Sequence, residues 1–391
     1  MNTKIKVLAI TGIRSEYDIL YPILDVLRKD NSFCLKVVAC GAHLSEWHGY
    51  TINKIIEDGF EIADKIDYLL MTNRDTQRAK GVGILITALS QCVERESPDF
   101  LLVVGDREES IATAIVGNYM KVLVAHLGGG DPVYGNADDP IRFAVSKLAH
   151  IHFVTAEEYG KNLEKIGEEK FRIYWVGNPA YYNIAKTPYM SLDEISEAIG
   201  WDLTDGNYIV LIKHPLSSEK EEAYVQMKTT LQGVQQFSER HNFKVVGIYP
   251  NTDPGSYDIL RAVEELSNCK NIKFYKTIKR EIFVNIMRNA KALVGNSSMG
   301  LLEAPYYKLP VVNVGNRQRG RLNAGNVEFV PYDIKYIMES IEKAVFDENY
   351  REKVRTLKNP YGDESAPFKI KDILLSIDLK DKRWYVKEKL L

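Results

Sequence analysis

The apolar positions of this chain fall into short continuous runs, separated by longer segments in which apolar residues recur every three or four positions. Ile5 to Thr11 reads as a strand and Glu16 to Lys29 as a helix. Cys34 to Cys40 is a strand, and the stretch from about Gly49 to Asp58 is helical. Phe100 to Val104 is an apolar run ending in Gly-Asp, followed by a helix from about Glu109 to Met120 and a strand from Val122 to His126. Pro140 to Leu148 predicts a helix, Ile151 to Thr155 a strand and Glu157 to Leu163 a helix. Strands that are apolar throughout, rather than alternating, are buried on both faces. With helices between them they imply a parallel sheet covered on both sides.

The rhythm restarts after Tyr174-Trp-Val-Gly-Asn-Pro179. Tyr208 to Ile212, Lys244 to Tyr249, Ile272 to Tyr275, Ala292 to Val294 and Val311 to Val314 read as strands. Glu219 to His241, Asp258 to Ser267, Lys279 to Asn289 and Ile334 to Phe346 read as helices. No short-period repeat or low-complexity segment is visible. Two doubly wound α/β domains joined near 177–190 fit this pattern, and in such sheets ligands sit at the carboxyl ends of the strands. The polar punctuation there is Gly12-Ile-Arg14-Ser-Glu16, Gly105-Asp106-Arg107, His126-Leu-Gly-Gly-Gly-Asp131, Lys213-His214-Pro215, Pro250-Asn251 and Gly295-Asn-Ser-Ser298.

The last of these is the most telling. Ala292 to Val294 ends abruptly in Gly-Asn-Ser-Ser, and a helix-compatible segment carrying Glu303 follows. The first amides of a helix lack intrahelical partners and its amino end is positive, so a diphosphate is a natural guest there. Ser297 and Ser298 can add hydroxyl donors, and Glu303 can accept from a ribose diol. A serine N-cap and a surface glutamate explain the same residues without a ligand.

Bulk properties narrow the function. The 391 residues carry a formal net charge of -2 and no basic block, which argues against general nucleic-acid binding. No apolar run is long enough to span a membrane. The start, Met1-Asn-Thr-Lys-Ile-Lys-Val, runs straight into a strand pattern with no signal-peptide core, so a cytoplasmic protein is expected. The four cysteines have no CxxC spacing and are read as reduced thiols. His150 and His152 lie on one face of a strand but lack a third ligand at metal spacing, so they are read as structural. No Gly-x-Gly-x-x-Gly follows the first strand and no Walker A motif is present, so neither a metal nor another cofactor is expected.

Taken in order, the motifs resemble one family. They are Thr11-Gly-Ile-Arg14-Ser-Glu16-Tyr17, Gly41-Ala-His43-Leu-Ser, Gly105-Asp106-Arg107, Gly129-Gly130-Asp131, Asp138-Asp139-Pro-Ile-Arg142, His214-Pro215, Pro250-Asn-Thr-Asp253, Gly295-Asn-Ser-Ser298-x-Gly-x-x-Glu303-Ala-Pro and Arg317-Gln-Arg-Gly-Arg321. From about residue 5 to about residue 345 the chain is similar to the UDP-N-acetylglucosamine 2-epimerases, specifically the hydrolysing branch that forms N-acetylmannosamine for sialic acid synthesis. The resemblance implies a GT-B-like fold, two Rossmann-like parallel-sheet domains facing a cleft. Residues 1–180 would carry the catalytic acids and 181–370 would bind UDP, with 371–391 packing back on the first domain. It also implies a homodimer or homotetramer.

On this resemblance Asp106, Asp131 and Asp138 are catalytic carboxylates, since proton removal and delivery at C2 need positioned acids and bases. Otherwise, Asp106 would be a helix N-cap, Asp131 a solvated turn residue, and one of Asp138 and Asp139 the cap of the helix at Pro140. Arg14 would sit on the β-phosphate, where a guanidinium fork suits the geometry. Glu16, His43, Arg107 and Arg142 are placed around the sugar, His214 beside the diphosphate, and Arg317 and Arg321 at the phosphate or sugar. Family members commonly carry Glu, Gln or His three residues before the acid at 131; here that position is Gly128. The expected reaction converts UDP-N-acetylglucosamine and water to N-acetylmannosamine and UDP through a 2-acetamidoglucal. Alternatives are a hydrolysing epimerase for a diacetamido-trideoxy sugar, a GT-B glycosyltransferase, or a non-catalytic nucleotide-sugar-binding protein.

Overall fold

The computed structural model describes residues 4–70, 76–132, 139–250, 255–265 and 269–388. The chain divides into two units, one comprising residues up to Asn183 together with those from Tyr361 onward, the other Ile184–Pro360.

In the first unit the strands are β1 (Ile5–Thr11), β2 (Phe33–Cys40), β3 (Ile62–Ile66), β4 (Phe100–Val104), β5 (Leu123–Leu127), β6 (Ile151–Val154) and β7 (Ile173–Trp175). They pair in parallel in the order β3-β2-β1-β4-β5-β6-β7. Alternate residues feed the two faces. Val7, Ala9, Leu102 and Val104 pack with helix Arg14–Arg28 and with the returning helix Ala366–Ser376. Leu8, Ile10, Leu101 and Val103 pack under helices Thr76–Glu96 and Glu108–Met120. Both faces are therefore covered, as continuous apolar strands require.

The second unit contains β8 (Tyr208–Ile212), β9 (Lys244–Ile248), β10 (Ile272–Tyr275), β11 (Leu293–Gly295), β12 (Val311–Val314) and β13 (Val327–Val330). Their parallel order is β10-β9-β8-β11-β12-β13. Ile209, Leu211, Val245, Val294 and Val312 fill one side and Tyr208, Val210, Val246, Leu293 and Val311 the other. Both units are thus doubly wound α/β folds.

The pattern between residues 59 and 99 left no element assigned, yet β3 and the long helix Thr76–Glu96 lie there. β3 is an edge strand in which only Ile66 is buried, so it lacks an apolar run. The helix buries Leu85, Leu89, Cys92 and Val93 at helical spacing, but Gly81 and Gly83 dilute its propensity. Gly81 serves packing: a Cβ there would meet the Tyr68 carbonyl oxygen at 2.9 Å. The edge strands β7 and β13 escape sequence reading for the same reason as β3, since each is only partly buried.

The returning C-terminal segment is held by a buried cation. Arg172 is fully buried. It donates to the carbonyls of Trp384 at 2.9 Å, Val386 at 2.8 Å and His150 at 3.3 Å, also to that of Arg383, and pairs with Glu169 at 2.8 Å. Nearby, Lys387 reaches buried Glu168 at 2.6 Å and the Lys147 carbonyl at 2.7 Å. Arg172→Met keeps the volume but strands these carbonyls and Glu169. Loss of about 3 kcal/mol or more of stability is expected, with earlier proteolysis of the tail. Equilibrium unfolding and limited proteolysis check this; an unchanged midpoint would contradict it.

Candidate functional site

A doubly wound sheet opens a crevice where two adjacent strands send their following helices to opposite faces. In the first unit this lies between β1 and β4, and in the second between β8 and β11. Of the polar punctuation picked out from sequence, residues 12–16, 105–107, 213–215 and 295–298 fall at these ends, 126–131 spans the end of β5, and Pro250 follows β9, with Asn251 and Asp253 outside the described residues.

At the end of β4, Gly105 takes φ +80° and the chain turns into Asp106. Asp106 forms an ion pair with Arg142, on helix Asp139–Leu148, and both are largely withdrawn from solvent. Arg142 also donates to the Gly128 carbonyl at 2.8 Å, so one guanidinium ties the end of β4 to the loop after β5. The three-glycine run there has the geometry expected of it. Gly128 and Gly130 have φ of +85° and +75°, and a Cβ on Gly130 would lie 2.2 Å from the Tyr159 carbonyl oxygen. Asp131, at the end of that run, is buried. Asp138 lies outside the described residues; Asp139 begins the helix that carries Arg142. Beneath them, buried His126 donates from Nε2 to the Gly105 carbonyl at 2.7 Å.

At the end of β1, Arg14 and Arg107 are exposed, Arg14 opening helix Arg14–Arg28 and Arg107 capping helix Glu108–Met120. Glu16 is buried and accepts from the Gly12 amide at 3.2 Å. Burial, followed by the charge of Glu109, holds its carboxyl well above the usual range. His43 is not brought to an open surface. It is fully buried, with Nε2 3.0 Å from the Thr11 hydroxyl and Nδ1 2.8 Å from that of Thr51, and burial lowers its pKa to about 4. It fastens the end of β1 to the turn after β2. Glu109 and Tyr68 are the residues that sequence reading missed here. Glu109 looked like an ordinary acidic first-turn residue, yet it is buried and accepts from the Tyr68 hydroxyl.

In the second unit, Asn296 organises the site. Its Oδ1 accepts from the His214 amide at 2.7 Å and its Nδ2 donates to the His214 carbonyl at 2.9 Å, clasping the end of β8 to the end of β11. Gly295 permits this approach: its φ is +126°, and a Cβ would fall 2.0 Å from the Ile212 carbonyl oxygen. Arg317 and Gln318 both donate to the Asn296 carbonyl at 3.2 Å, and Arg321 donates to Gln318 at 2.9 Å. His214, Ser297, Arg317 and Arg321 are therefore brought together. The helix expected after Ser298 is a single turn, Met299–Leu302, so a full helix dipole is not available there. Ser297 accepts from the Met299 amide at 3.4 Å, Ser298 immediately precedes the turn and Glu303 follows it. Lys213, read from sequence only as part of the polar punctuation and given no role there, adds a cation. It is buried against Tyr332, 3.2 Å from its hydroxyl, and burial lowers its pKa to about 7.

His152 lies 2.8 Å from Glu168, and His150 accepts from the Val124 amide at 3.0 Å, so both serve packing. Among the described residues no group of three or more side chains could hold a metal ion, and no helix is long and apolar enough to cross a membrane.

The fold and the two strand-end sites define a GT-B-like protein built of two Rossmann-type units. Residues 25–375 match the family model described as UDP-N-acetylglucosamine 2-epimerase, and the chain belongs to that family. It is 30% identical over 374 residues, 96% of each chain, to the hydrolysing UDP-N,N'-diacetylbacillosamine 2-epimerase of Legionella pneumophila. It is 31% identical to a UDP-N-acetylglucosamine 2-epimerase of Neisseria meningitidis serogroup B, covering 87% of each. The crystal structure of the Neisseria meningitidis UDP-GlcNAc 2-epimerase bound to UDP-GlcNAc superposes with a TM-score of 0.80 at 21% identity, covering 95% of this chain and 100% of that one.

The buried histidines predict an acid-sensitive fold. His126 and His150 are lowered to about 3 and His43 to about 4, and His152 is lowered as well, all mainly by burial. Below pH 6.5 the unfolded chain takes up protons that the folded chain refuses, so stability falls as pH drops, by about 1.4 kcal/mol per unit for each such group. The raised carboxyls of Glu16 and Glu109 act in the opposite sense but are fewer. The melting temperature is expected to fall steadily from pH 7 to pH 4.5, less steeply in His126→Asn. A flat profile would contradict this.

Proposed function

We propose that this protein is a hydrolysing 2-epimerase of a UDP-linked 2-acetamido sugar, with a diacetamido-trideoxy hexose as its preferred substrate. The observation that carries the reading is the set of acids and cations at the carboxyl ends of β4 and β5, in a chain matching hydrolysing 2-epimerases over nearly its whole length. In the second unit, Ser297, Ser298, His214, Arg317 and Arg321 bind the diphosphate, and Glu303 takes the ribose. In the first unit, Asp106, Asp131 and Asp138 handle the hexose. Arg14 and Arg107 offer charge to the departing phosphate, and Arg142 holds Asp106 in place.

The chemistry proceeds in two steps. The anomeric C1–O bond breaks with its electron pair leaving on UDP, and the C2 proton passes to a carboxylate, giving a 2-acetamidoglucal. Water then adds, its oxygen to C1, while a proton returns to C2 from the opposite face. The C2 proton is weakly acidic, so C1–O cleavage runs ahead and the carboxylates stabilise oxocarbenium character. The Legionella relative's named substrate favours the diacetamido sugar over UDP-N-acetylglucosamine, and Gly128, which presents no side chain beside Arg142, leaves room for altered substituents. The Neisseria relative supports UDP-N-acetylglucosamine, with N-acetylmannosamine as product, as the second reading.

Incubation with each UDP-sugar in deuterated water is expected to release UDP and the free 2-epimeric sugar carrying deuterium at C2. Unlabelled sugar, or a product that requires an added acceptor, would overturn the reading. Asp106→Asn is expected to lower kcat at least about 100-fold while leaving UDP affinity within a factor of about two, since the diphosphate is assigned to other residues. Equal losses in both would point to a structural role.

A further inference from the structure

Beside Gly12, at the end of β1, the first unit contains two buried carboxyl groups. The Gly12 amide donates to Glu16 at 3.2 Å, and a Cβ on Gly12 would fall 1.4 Å from Glu109 Oε1, so the two carboxyls closely flank this one residue. Glu109 Oε1 accepts from the Tyr68 hydroxyl. Its other oxygen, Oε2, is buried and has no hydrogen-bond partner among the described residues, although Glu109 is only 2% exposed. A buried acceptor left unsatisfied costs about 1–3 kcal/mol, and such a group in a native fold asks for a partner from outside the chain.

Glu109 borders a cavity of about 470 Å³ within this unit. Its other walls include Ile13, Leu69 and Leu70 on the apolar side and Arg107 on the polar side. The space is ample for an N-acylated hexose, and its lining sets the Glu109 carboxyl beside an apolar surface, with His48, Gln77 and Glu108 among the remaining polar walls. A group matching both features has an N–H donor joined to a methyl-bearing acyl, that is, an acetamido group. A bare hydroxyl would satisfy the acceptor and leave the apolar wall without a partner.

We propose that Glu109 is a substrate-binding residue that accepts the N–H of an acetamido substituent of the hexose, with the acetyl methyl against Ile13 and Leu69. This rests on the UDP-sugar reading above and deepens it. Burial raises the pKa of the Glu109 carboxyl, opposed by the Tyr68 hydroxyl, and burial beside Glu109 raises that of Glu16. Glu109 thus brings a buried acceptor, unpaired among the described residues, to the wall of the cavity.

The test uses the full chain carrying Asp106→Asn, to slow turnover, and calorimetric titration with UDP, UDP-glucose and UDP-N-acetylglucosamine. Adding Glu109→Ala is expected to weaken UDP-N-acetylglucosamine at least tenfold while UDP and UDP-glucose stay within twofold. Glu109→Gln, which keeps the volume and one acceptor oxygen, should recover affinity to within fivefold. An unchanged UDP-N-acetylglucosamine affinity, or a parallel loss for UDP-glucose, overturns the proposal. Saturation-transfer NMR on the Asp106→Asn protein without any change at 109 gives a second readout. The acetyl methyl should receive more saturation than the ring protons, and the reverse order overturns the assignment. If the wild-type protein converts no UDP-sugar, the proposed reaction falls, while these affinity ratios still decide the role of Glu109.

Discussion

Each unit depends on the divergence of two parallel strands whose following segments leave for opposite faces of the sheet. Where β1 and β4 diverge, and again where β8 and β11 diverge, the backbone must turn sharply and its polar groups need partners. The protein meets that need with glycines that permit left-handed or crowded backbone and with side chains that clasp the neighbouring loop. Asn296 bonds both main-chain groups of His214 across one divergence. Arg142 joins Asp106 and the Gly128 carbonyl beside the other. The polar groups at these strand ends are therefore held by the same contacts that stop the ends from splaying.

The two strand-end regions differ in electrostatic character. In the second unit, cations gather around short loops: Lys213, Arg317 and Arg321 lie with Asn296 and Ser297, a composition suited to an anion. In the first, acids predominate behind the exposed Arg14 and Arg107. Asp131, Glu16 and Glu109 are buried, and Asp106 is neutralised by Arg142. Buried acids of this kind are tuned by their neighbours, some held as anions by donors and others held protonated by burial.

Much of the fold was legible in the sequence because the central strands are buried on both faces. Phe100–Val104 and Tyr208–Ile212 are apolar at every position, so they announce themselves. The edge strands β3, β7 and β13 did not, since a strand partly open to water carries no continuous run. The helix Thr76–Glu96 was obscured by glycines whose purpose, close approach to Tyr68, is visible only in three dimensions. At the candidate site, the motif residues do fall at strand ends, but their surroundings were not readable. His43 turned out to be fully enclosed by Thr11 and Thr51, and the helix after Ser298 to be one turn long.

The sequence alone determined the two-fold repetition of the α/β rhythm and the residue types at the strand ends, because periodicity and glycine punctuation are local properties of the chain. It also carried the family resemblance, since that lies in the order and spacing of motifs. Tertiary structure alone decided which of those residues became neighbours. That Glu109 shares a niche with Glu16 and Tyr68, that Arg172 holds four carbonyls, among them those of Trp384 and Val386, and that Asn296 holds His214 are long-range outcomes. Burial and the distance between partners, which set the charge of each acid and its availability to a ligand, arise only when segments far apart in the chain pack together.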